Sequence, residues 1–277
     1  MEQKEIEDLK QKAREIRKLT IREIGTLGTG HIGGALSIVD VLTLLYYKKM
    51  NVDPKDPRKK DRDQLVVSKG HSGPAVYATL ASKGYFPMDW LWTLNKGGTR
   101  LPSHCDRNLT PGIDMTTGSL GQGFSAALGI ALGLRLDKIP ATVYTIIGDG
   151  ESDEGQIWEG ALYAGGHGRA LSHVVAFTDA NKQQLDGFVK DVLDLGDLEA
   201  KWKAFGWFTQ SVDGHDFAAL DAAIDAAKAQ KEKPSMIIMN TVKGKGCFFA
   251  EGVEKNHSMA FDLTKAEEAI AALDKTA

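Results

Sequence analysis

Two largely apolar runs most constrain how this 277-residue chain can fold. Residues 143–147 lead directly into Gly148-Asp149-Gly150, and residues 174–177 lead into a short polar segment that ends at Asn181. Apolar side chains at successive positions, rather than at alternate ones, are typical of strands that are covered on both faces of a sheet. Because parallel strands end at the same sheet edge, we expect Asp149 and Asn181 to be neighbours there.

Helical patterns alternate with these strands. Further strand-like runs occur at residues 65–67 and 236–241, and apolar spacing predicts helices at residues 4–24, 36–47, 73–83, 125–136, 157–167, 197–204 and 217–230. Such alternation indicates an α/β fold, a parallel sheet with helices on both faces. Since no repeat or domain-sized linker interrupts it, we expect one domain over residues 1–277, with an N-terminal helical segment.

Composition narrows the functional classes. The net charge is −3 and there is no polybasic block, so neither nucleic acid nor an anionic membrane surface is an expected partner. No apolar run approaches a membrane span, and the N-terminus has no apolar signal core. The two cysteines are too few for a disulfide framework. We therefore expect a cytoplasmic protein.

One glycine-rich segment resembles a dinucleotide fingerprint. Gly28 to Gly33 has the spacing G-x-G-x-x-G, and Asp53 lies 20 residues further on. That fingerprint requires a strand immediately before it. Here the preceding residues have helical apolar spacing, with charges at Arg22 and Glu23. We therefore predict a helix end and a close-approach loop rather than a nicotinamide site.

The strand ends provide oxygen ligands. Asp149 and Asn181 are 32 residues apart, and a carboxylate, an amide oxygen and a backbone carbonyl suit Mg²⁺ or Ca²⁺. A metal held by so few protein charges needs further anionic oxygens, which a diphosphate could supply. The alternative is a pair of ordinary strand-to-loop turns in which Gly and Asn adopt special backbone angles.

Several segments together resemble the N-terminal half of the thiamine diphosphate-dependent transketolases. They occur in that family's order and span nearly the whole chain. They are residues 28–34 (GTGHIGG), 68–71 (SKGH), 101–104 (LPSH), 116–123 (TTGSLGQG), 148–155 (GDGESDEG), Asn181, 213–216 (DGHD), 243–246 (KGKG) and His257. The resemblance implies the thiamine diphosphate-binding fold, and specifically its diphosphate-binding domain.

The resemblance implies a metal site. Asp149, Asn181 and the backbone carbonyl of Gln183 would bind Mg²⁺, or Ca²⁺ or Mn²⁺ in its place. Gly150 would allow the backbone to approach the diphosphate. The family commonly has Gly and Ile where this chain has Lys182 and Gln183, a change that a backbone ligand tolerates.

It also implies a cofactor loop. Gly118 and Leu120 would lie along the pyrimidine and the diphosphate of the cofactor. Ser119 stands where the family commonly has proline, and a glycine-rich turn before a helix is the alternative interpretation.

Histidines carry the implied catalysis. His31, His71, His104 and His257 would line the cleft above the thiazolium ring, with His71 also contacting the cofactor. Imidazole titrates near neutrality, so it can donate to charged oxygens and move hydroxyl protons. His257 stands in Asn-His-Ser rather than in the usual His-Gly pair.

Two further residues have open roles. Glu154 is similar to the glutamate that links the two active sites across the subunit interface, although a solvated acid at a helix start explains it equally. His215, in Asp-Gly-His-Asp, is interpreted as a turn residue near the dimer contact.

The resemblance finally implies a partner. The glutamate that activates the cofactor lies in a separate pyrimidine-binding domain, and no glutamate of this chain has a matching context. We therefore expect a split transketolase in which a C-terminal pyrimidine-domain subunit completes an α2β2 assembly. It would transfer a two-carbon ketol unit from a ketose phosphate to an aldose phosphate.

Three alternatives stay open. One is another split thiamine diphosphate enzyme, a synthase or decarboxylase of 2-oxo acids. A second is a transketolase for a sulfonated or branched sugar, and the third is a non-catalytic thiamine diphosphate-binding scaffold. The three histidines His31, His71 and His104 favour a polyhydroxylated ketose, because an apolar 2-oxo acid needs fewer proton-handling groups.

Overall fold

A five-stranded parallel sheet forms the centre of the computed structural model, which describes residues 1–275. The last two residues of the predicted 1–277 domain lie outside the described part. The strands are β1 (Thr29–Gly30), β2 (Gln64–Val67), β3 (Val143–Gly148), β4 (Val174–Ala180), β5 (Phe208–Asp213), β6 (Ser235–Asn240) and β7 (Met259–Ala260). The sheet order is β2-β3-β4-β6-β5, and β1 pairs with β7 in a separate antiparallel ribbon.

Helices cover both faces of the sheet, which confirms the predicted α/β fold. They are α1 (Gln3–Leu27), α2 (Ile32–Leu36), α3 (Val39–Leu44), α4 (Gly73–Lys83), α5 (Gln122–Leu136), α6 (Gly155–His167), α7 (Val189–Val192), α8 (Leu198–Ala204), α9 (Phe217–Ala229) and α10 (Leu263–Lys275). None of those helices is long and apolar enough to cross a membrane.

Each central strand contributes to two hydrophobic cores. Along β3, Tyr144 and Ile146 join the core formed with α1, α3, α4, α9 and α10, whereas Val143 and Ile147 join the core formed with α5, α6 and α8. All six residues of β3 are buried. Because alternate side chains enter opposite cores, both faces of such a strand are covered, which explains why β3 is apolar at most of its positions.

One prediction of local structure was wrong, and one strand of the main sheet was missed. The helix expected at residues 36–47 is divided among α2, α3 and a π-helical turn, Leu45–Lys49. Strand β5 was not predicted, because it is an edge strand in which only Thr209 is buried, so it has no apolar run.

The dinucleotide-like segment follows a helix, as predicted. α1 continues to Leu27, and Gly28 ends it with φ 92° while donating its N–H to the carbonyl of Ile24 at 2.9 Å. A Cβ at Gly33 would lie 2.5 Å from the carbonyl oxygen of Asn256. The glycines therefore form a helix end and a close-approach loop.

Glu23 is an exception within the apolar packing of α1. Its side chain is fully buried, and neither carboxyl oxygen has a hydrogen-bond partner among the described residues. Burial raises the pKa of Glu23 well above its usual value of 4.5. The folded state therefore holds a proton that the unfolded chain releases, so stability falls as the pH rises above about 4.5 towards the folded-state pKa.

We expect the substitution Glu23→Gln to stabilise the protein at neutral and higher pH. Glutamine cannot ionise, so the proton-linked loss of stability disappears. Thermal unfolding followed by circular dichroism should show the melting temperature rising by roughly 2–4 °C at pH about 8, with little change at pH about 4.5.

Asp8→Asn is the matched control, because Asp8 is an exposed acid on the same helix. It should leave the melting temperature unchanged at both pH values. A Glu23→Gln effect of equal size at both pH values would contradict the assignment of a buried, protonated carboxyl.

Candidate active site

Adjacent parallel strands bring the predicted oxygen ligands together. β3 and β4 pair in register through Gly148 and Asp179, so Asp149 and Asn181 follow neighbouring strand ends. The two carboxylate oxygens of Asp149 accept hydrogen bonds from the backbone N–H groups of Gly150 at 2.8 Å and Lys182 at 2.5 Å. These bonds close the two loops around one carboxylate.

One cavity of about 250 Å³ collects most of the predicted site. The predicted residues that line it are His31, His71, His104, Gly118, Leu120, Asp149, Gly150, Asn181, Gln183 and His257. The further lining residues are Gly34, Lys69, Gly148, Glu151, Gln184, Leu185 and Lys243. Segments that are distant in sequence therefore enclose one space at the carboxyl edge of the sheet.

Four histidines form one side of this cavity. The ring centroid of His31 lies 5.6 Å from that of His71, 5.5 Å from that of His104 and 5.3 Å from that of His257. The rings of His71 and His257 are 4.7 Å apart. The structure thus brings together all four histidines that the sequence singled out.

The histidines are held neutral. Burial is the largest cause in each case, and it lowers the pKa of His31, His71 and His104. Burial and the Lys243 ammonium lower the pKa of His257 to about 3. Near pH 7 each ring can therefore donate one hydrogen bond and accept another, which is the form needed to move protons between hydroxyl groups.

A buried ion pair lies beneath the strand ends. Asp179 is fully buried, and its Oδ2 accepts hydrogen bonds from Lys69 at 2.7 Å, Ser37 at 2.7 Å and Asn181 at 2.8 Å. Burial alone would raise the pKa of Asp179, but Lys69 and the hydrogen bonds outweigh it and hold the pKa below its usual value. The Asn181 amide is therefore oriented with its oxygen, Oδ1, turned away from Asp179.

Asp149 has the opposite electrostatic environment. Burial, together with the nearby charge of Asp179, raises its pKa to about 7. Among residues 1–275, no lysine or arginine forms an ion pair with Asp149. A carboxylate in this condition is stabilised when a cation binds to it.

Lys243 contributes a cation to the same cavity. Its Nζ donates to the backbone carbonyls of Gln183 and Gln184, each at 3.2 Å, and lies 3.5 Å from Nδ1 of His257. Burial lowers the pKa of Lys243 to about 8. The carbonyl predicted as a metal ligand is therefore already exposed to a positive charge.

Glu151 ties three of the lining loops together. Its carboxylate accepts hydrogen bonds from the Ser68 hydroxyl at 2.5 Å, the Gly121 N–H at 2.8 Å and the Gly148 N–H at 3.0 Å. It is 2% exposed. Glu151 thus sets the spacing between the loops after β2 and β3 and the loop that carries Leu120.

These donors fit a hard metal ion and a diphosphate. Asp149, Asn181 and the Gln183 carbonyl offer oxygen atoms only, which Mg²⁺ prefers. Within residues 1–275 no three His, Cys, Asp or Glu side chains converge on a metal position, so a cation here needs anionic oxygens from a ligand. A Cβ at Gly150 would lie 2.5 Å from Cβ of Gln184, so a larger residue does not fit there unless Gln184 moves.

Comparison with known proteins identifies the family. The domain family described as transketolase, thiamine diphosphate binding domain, matches residues 9–275. The chain belongs to the transketolase family. It is 57% identical over 268 residues to the 6-deoxy-6-sulfo-D-fructose transketolase subunit SqwG of Clostridium sp. (strain MSTE9), with 97% of each chain covered. It is 37% identical to an apulose-4-phosphate transketolase subunit of Actinobacillus succinogenes, covering 91% of this chain and 90% of that one.

Solved transketolases share the fold. The structure superposes on the transketolase from Leishmania mexicana with a TM-score of 0.88 and 31% identity, covering 97% of this chain and 41% of the other. For a transketolase of Pichia stipitis the TM-score is 0.87, with 40% of that chain covered. This transketolase chain therefore matches its subunit relatives over almost their full length and the solved enzymes over about two-fifths of theirs.

Sequence reasoning missed the three charged residues Lys69, Glu151 and Lys243 of this cavity. All three line it, yet no role was predicted for them. Each stands inside one of the segments that resemble the family, and that position was the available signal. Charged side chains are usually exposed, so their burial depends on partners that the local pattern does not reveal.

Glu154 is placed outside the cavity. It is exposed, it directly precedes α6, and its side chain makes no capping hydrogen bond. Within one chain it therefore resembles the solvated acid of the alternative interpretation. Its predicted function across a subunit interface stays a prediction.

We expect His104→Ala to lower turnover by roughly 100-fold or more while the fold is kept, because a proton-transfer group is lost. His104 is half-buried at the cavity, so its truncation removes little packing. Ketol transfer by the complete enzyme should be measured together with the melting temperature.

His167→Ala is the control, since His167 is exposed on α6 outside the cavity. It should leave turnover unchanged. Near-normal turnover of the His104→Ala enzyme would remove His104 from the catalytic group.

Proposed function

We propose that this transketolase subunit binds thiamine diphosphate with Mg²⁺ and, with a pyrimidine-domain partner, transfers a two-carbon ketol unit from a sulfonated ketose to an aldose. Ca²⁺ or Mn²⁺ could replace Mg²⁺ on the same ligands. The observation that carries this proposal is that one cavity is lined by the oxygen ligands, by Lys243 and by four neutral imidazoles.

The metal ligands and Lys243 would hold the diphosphate. Asp149, Asn181 and the carbonyl of Gln183 would bind the metal ion, and the Lys243 ammonium would pair with the phosphate oxygens. Gly118, Leu120 and Gly150 would then border the cofactor. When bound, thiamine diphosphate supplies the electron sink for the negative charge that develops on the two-carbon unit.

The four imidazoles would act on the sugar. A ketose loses a hydroxyl proton as its carbon–carbon bond breaks, and the acceptor aldehyde gains one when the new bond forms. His31, His71, His104 and His257 are neutral, so a ring nitrogen can take the hydroxyl proton and return it. An N–H on another ring can donate to the carbonyl oxygen, which becomes more negative.

A sulfonated donor is favoured by the 57% identity to a subunit named for 6-deoxy-6-sulfo-D-fructose. A ketose phosphate or a branched sugar phosphate is the second candidate, because subunits named for apulose-4-phosphate are 35–37% identical. Sulfonate and phosphate are both compact anions that arginine and lysine can bind. The comparison of two donors in one assay therefore decides between the candidates.

A partner subunit is supported by the names of the relatives that this chain matches end to end. An exposed face on α5 and α6 is also suited to packing: Leu136 is 81% exposed and Leu162 63% exposed. A Cβ on Gly129 or Gly133 would meet no atom within 4 Å, so a second surface could approach closely there. We propose an α2β2 assembly. Both cysteines are buried and unpaired, which is consistent with a cytoplasmic location.

We expect Asp149→Ala to abolish Mg²⁺-dependent binding of thiamine diphosphate, because it removes the one carboxylate of the proposed metal site. Isothermal titration calorimetry of the assembled complex, with and without Mg²⁺, measures this effect.

Asp153→Ala is the control, since Asp153 is a nearby acid outside the cavity. Its affinity for the cofactor should equal that of the wild type. Unchanged cofactor affinity in the Asp149→Ala complex would contradict the metal assignment.

Reconstitution tests the proposed function as a whole. We expect this chain alone, with Mg²⁺ and thiamine diphosphate, to be nearly inactive, and the addition of the product of the adjacent reading frame to restore ketol transfer. 6-Deoxy-6-sulfo-D-fructose should be the better donor than fructose 6-phosphate, judged by kcat/KM.

Substantial activity of this chain alone would show that the activating glutamate lies within it. A preference for the phosphorylated donor would select the second candidate.

A further inference from the structure

His215 lies outside the cofactor cavity but is hydrogen-bonded to the segment that carries Lys243. Its Nε2 accepts from the backbone N–H of Val242 at 2.9 Å, and its Nδ1 lies 2.7 Å from Oδ2 of Asp40. Because Nε2 is an acceptor, the neutral ring carries its proton on Nδ1 and donates it to Asp40. The imidazole is thereby held in one tautomer and one orientation.

A buried ion pair fixes Asp40 in turn. Arg17 of α1 donates to both carboxylate oxygens of Asp40, at 2.9 and 2.5 Å, and the two side chains are only 10% and 6% exposed. Burial alone would raise the pKa of Asp40, but Arg17 and His215 outweigh it and set the pKa at about 2. Asp40 therefore stays an ionised hydrogen-bond acceptor at any pH at which the enzyme would work.

The residues at the two ends of this series of contacts, His215 and Arg17, bond to the backbone on either side of Lys243. His215 holds the N–H of the residue before it, and Nε of Arg17 donates to the carbonyl of Lys245 at 3.3 Å, two residues after it. The side chain of Lys243 then extends into the cavity. Contacts from α1, α3 and the loop after β5 thus converge on the backbone from which one ammonium group extends.

We infer that His215 is a positioning residue for Lys243. The contacts of Arg17 with Asp40 and of Asp40 with His215 hold the backbone at Val242 in place. This backbone in turn places the ammonium group of Lys243 where the diphosphate would lie. The inference rests on the proposed function, because the position of the Lys243 ammonium group affects binding only if a diphosphate binds beside it. Both ring nitrogens of His215 are used within the chain, so this role requires no contact with a second subunit.

Two substitutions separate the two hydrogen bonds. In His215→Gln the side-chain oxygen can occupy the place of Nε2 and accept from Val242, whereas in His215→Asn the side-chain N–H can occupy the place of Nδ1 and donate to Asp40. If the bond to Val242 positions Lys243, the glutamine variant should keep the wild-type affinity for thiamine diphosphate within about twofold. The asparagine and alanine variants should bind it roughly tenfold more weakly.

The measurement is the Kd of thiamine diphosphate for the assembled complex at saturating Mg²⁺, by isothermal titration calorimetry. His173→Ala is the matched control. His173 is also half-buried, and it contacts a backbone carbonyl, that of Ala131, at 3.0 Å. It directly precedes β4 and so lies where the parallel strands begin, away from the cavity at their carboxyl ends. The His173→Ala variant should lower the melting temperature without changing the Kd, which separates positioning from general stability.

A double-mutant cycle then tests whether the effect passes through Lys243. In a Lys243→Met background, adding His215→Ala should change the Kd by less than about twofold, because the group that His215 positions is gone.

Three results would overturn the inference: a wild-type Kd for the His215→Ala complex, an effect of His215→Ala that persists in full without Lys243, or wild-type affinity in the asparagine variant with loss in the glutamine variant. A wild-type complex that binds no thiamine diphosphate would instead refute the proposed function, and the inference with it.

Discussion

The ion pair between Lys69 and Asp179 is the interaction on which the site depends. Both side chains are almost completely buried, with exposed fractions of 2% and 0%. Lys69 also donates to the carbonyl of Gly34 at 2.7 Å, and Asp179 orients the amide of Asn181. A buried charge without its partner is costly, so each of these groups holds the others in place. One pair thus joins the loop after β2, the end of β4 and the glycine-containing helix α2.

Parallel pairing explains why the sequence could predict the positions of Asp149 and Asn181, the proposed metal ligands. The apolar runs of β3 and β4 identify buried strands, and parallel strands end at one edge, so Asp149 and Asn181 were expected at that edge. They are neighbours because β3 and β4 are adjacent in the sheet. The four histidines came instead from family resemblance, because no local pattern shows that His31 and His257 share a cavity. Strand β5 could not be predicted, since only Thr209 of this strand is buried and it has no apolar run. The other edge strand, β2, is buried throughout and keeps that signal.

Buried charges set the limit of prediction within the site. Lys69 and Asp179 are 110 residues apart, and the pattern around either of them resembles an exposed polar loop. The contacts of His215 could not be predicted either. The sequence indicated its turn, but its contacts with Asp40 and Val242 come from tertiary packing. Partners that neutralise a buried charge lie on other elements, so such charges are identified only after the fold is known.

The distribution of charge within the cavity determines what it can hold. Lys69 pairs with Asp179, whereas Asp149 has hydrogen bonds from backbone N–H groups and no paired cation among the described residues. Burial, together with the nearby charge of Asp179, raises the pKa of Asp149 to about 7. Lys243 supplies positive charge beside the Gln183 carbonyl, and the four imidazoles add none near neutral pH. A divalent cation at Asp149 would restore the ionised carboxylate, and the anionic oxygens of a diphosphate would balance both that cation and Lys243. The diphosphate would thus neutralise the positive charge of the cation and of Lys243, and the cation would neutralise the negative charge of Asp149 and of the diphosphate. We therefore expect the metal ion and the diphosphate to bind cooperatively.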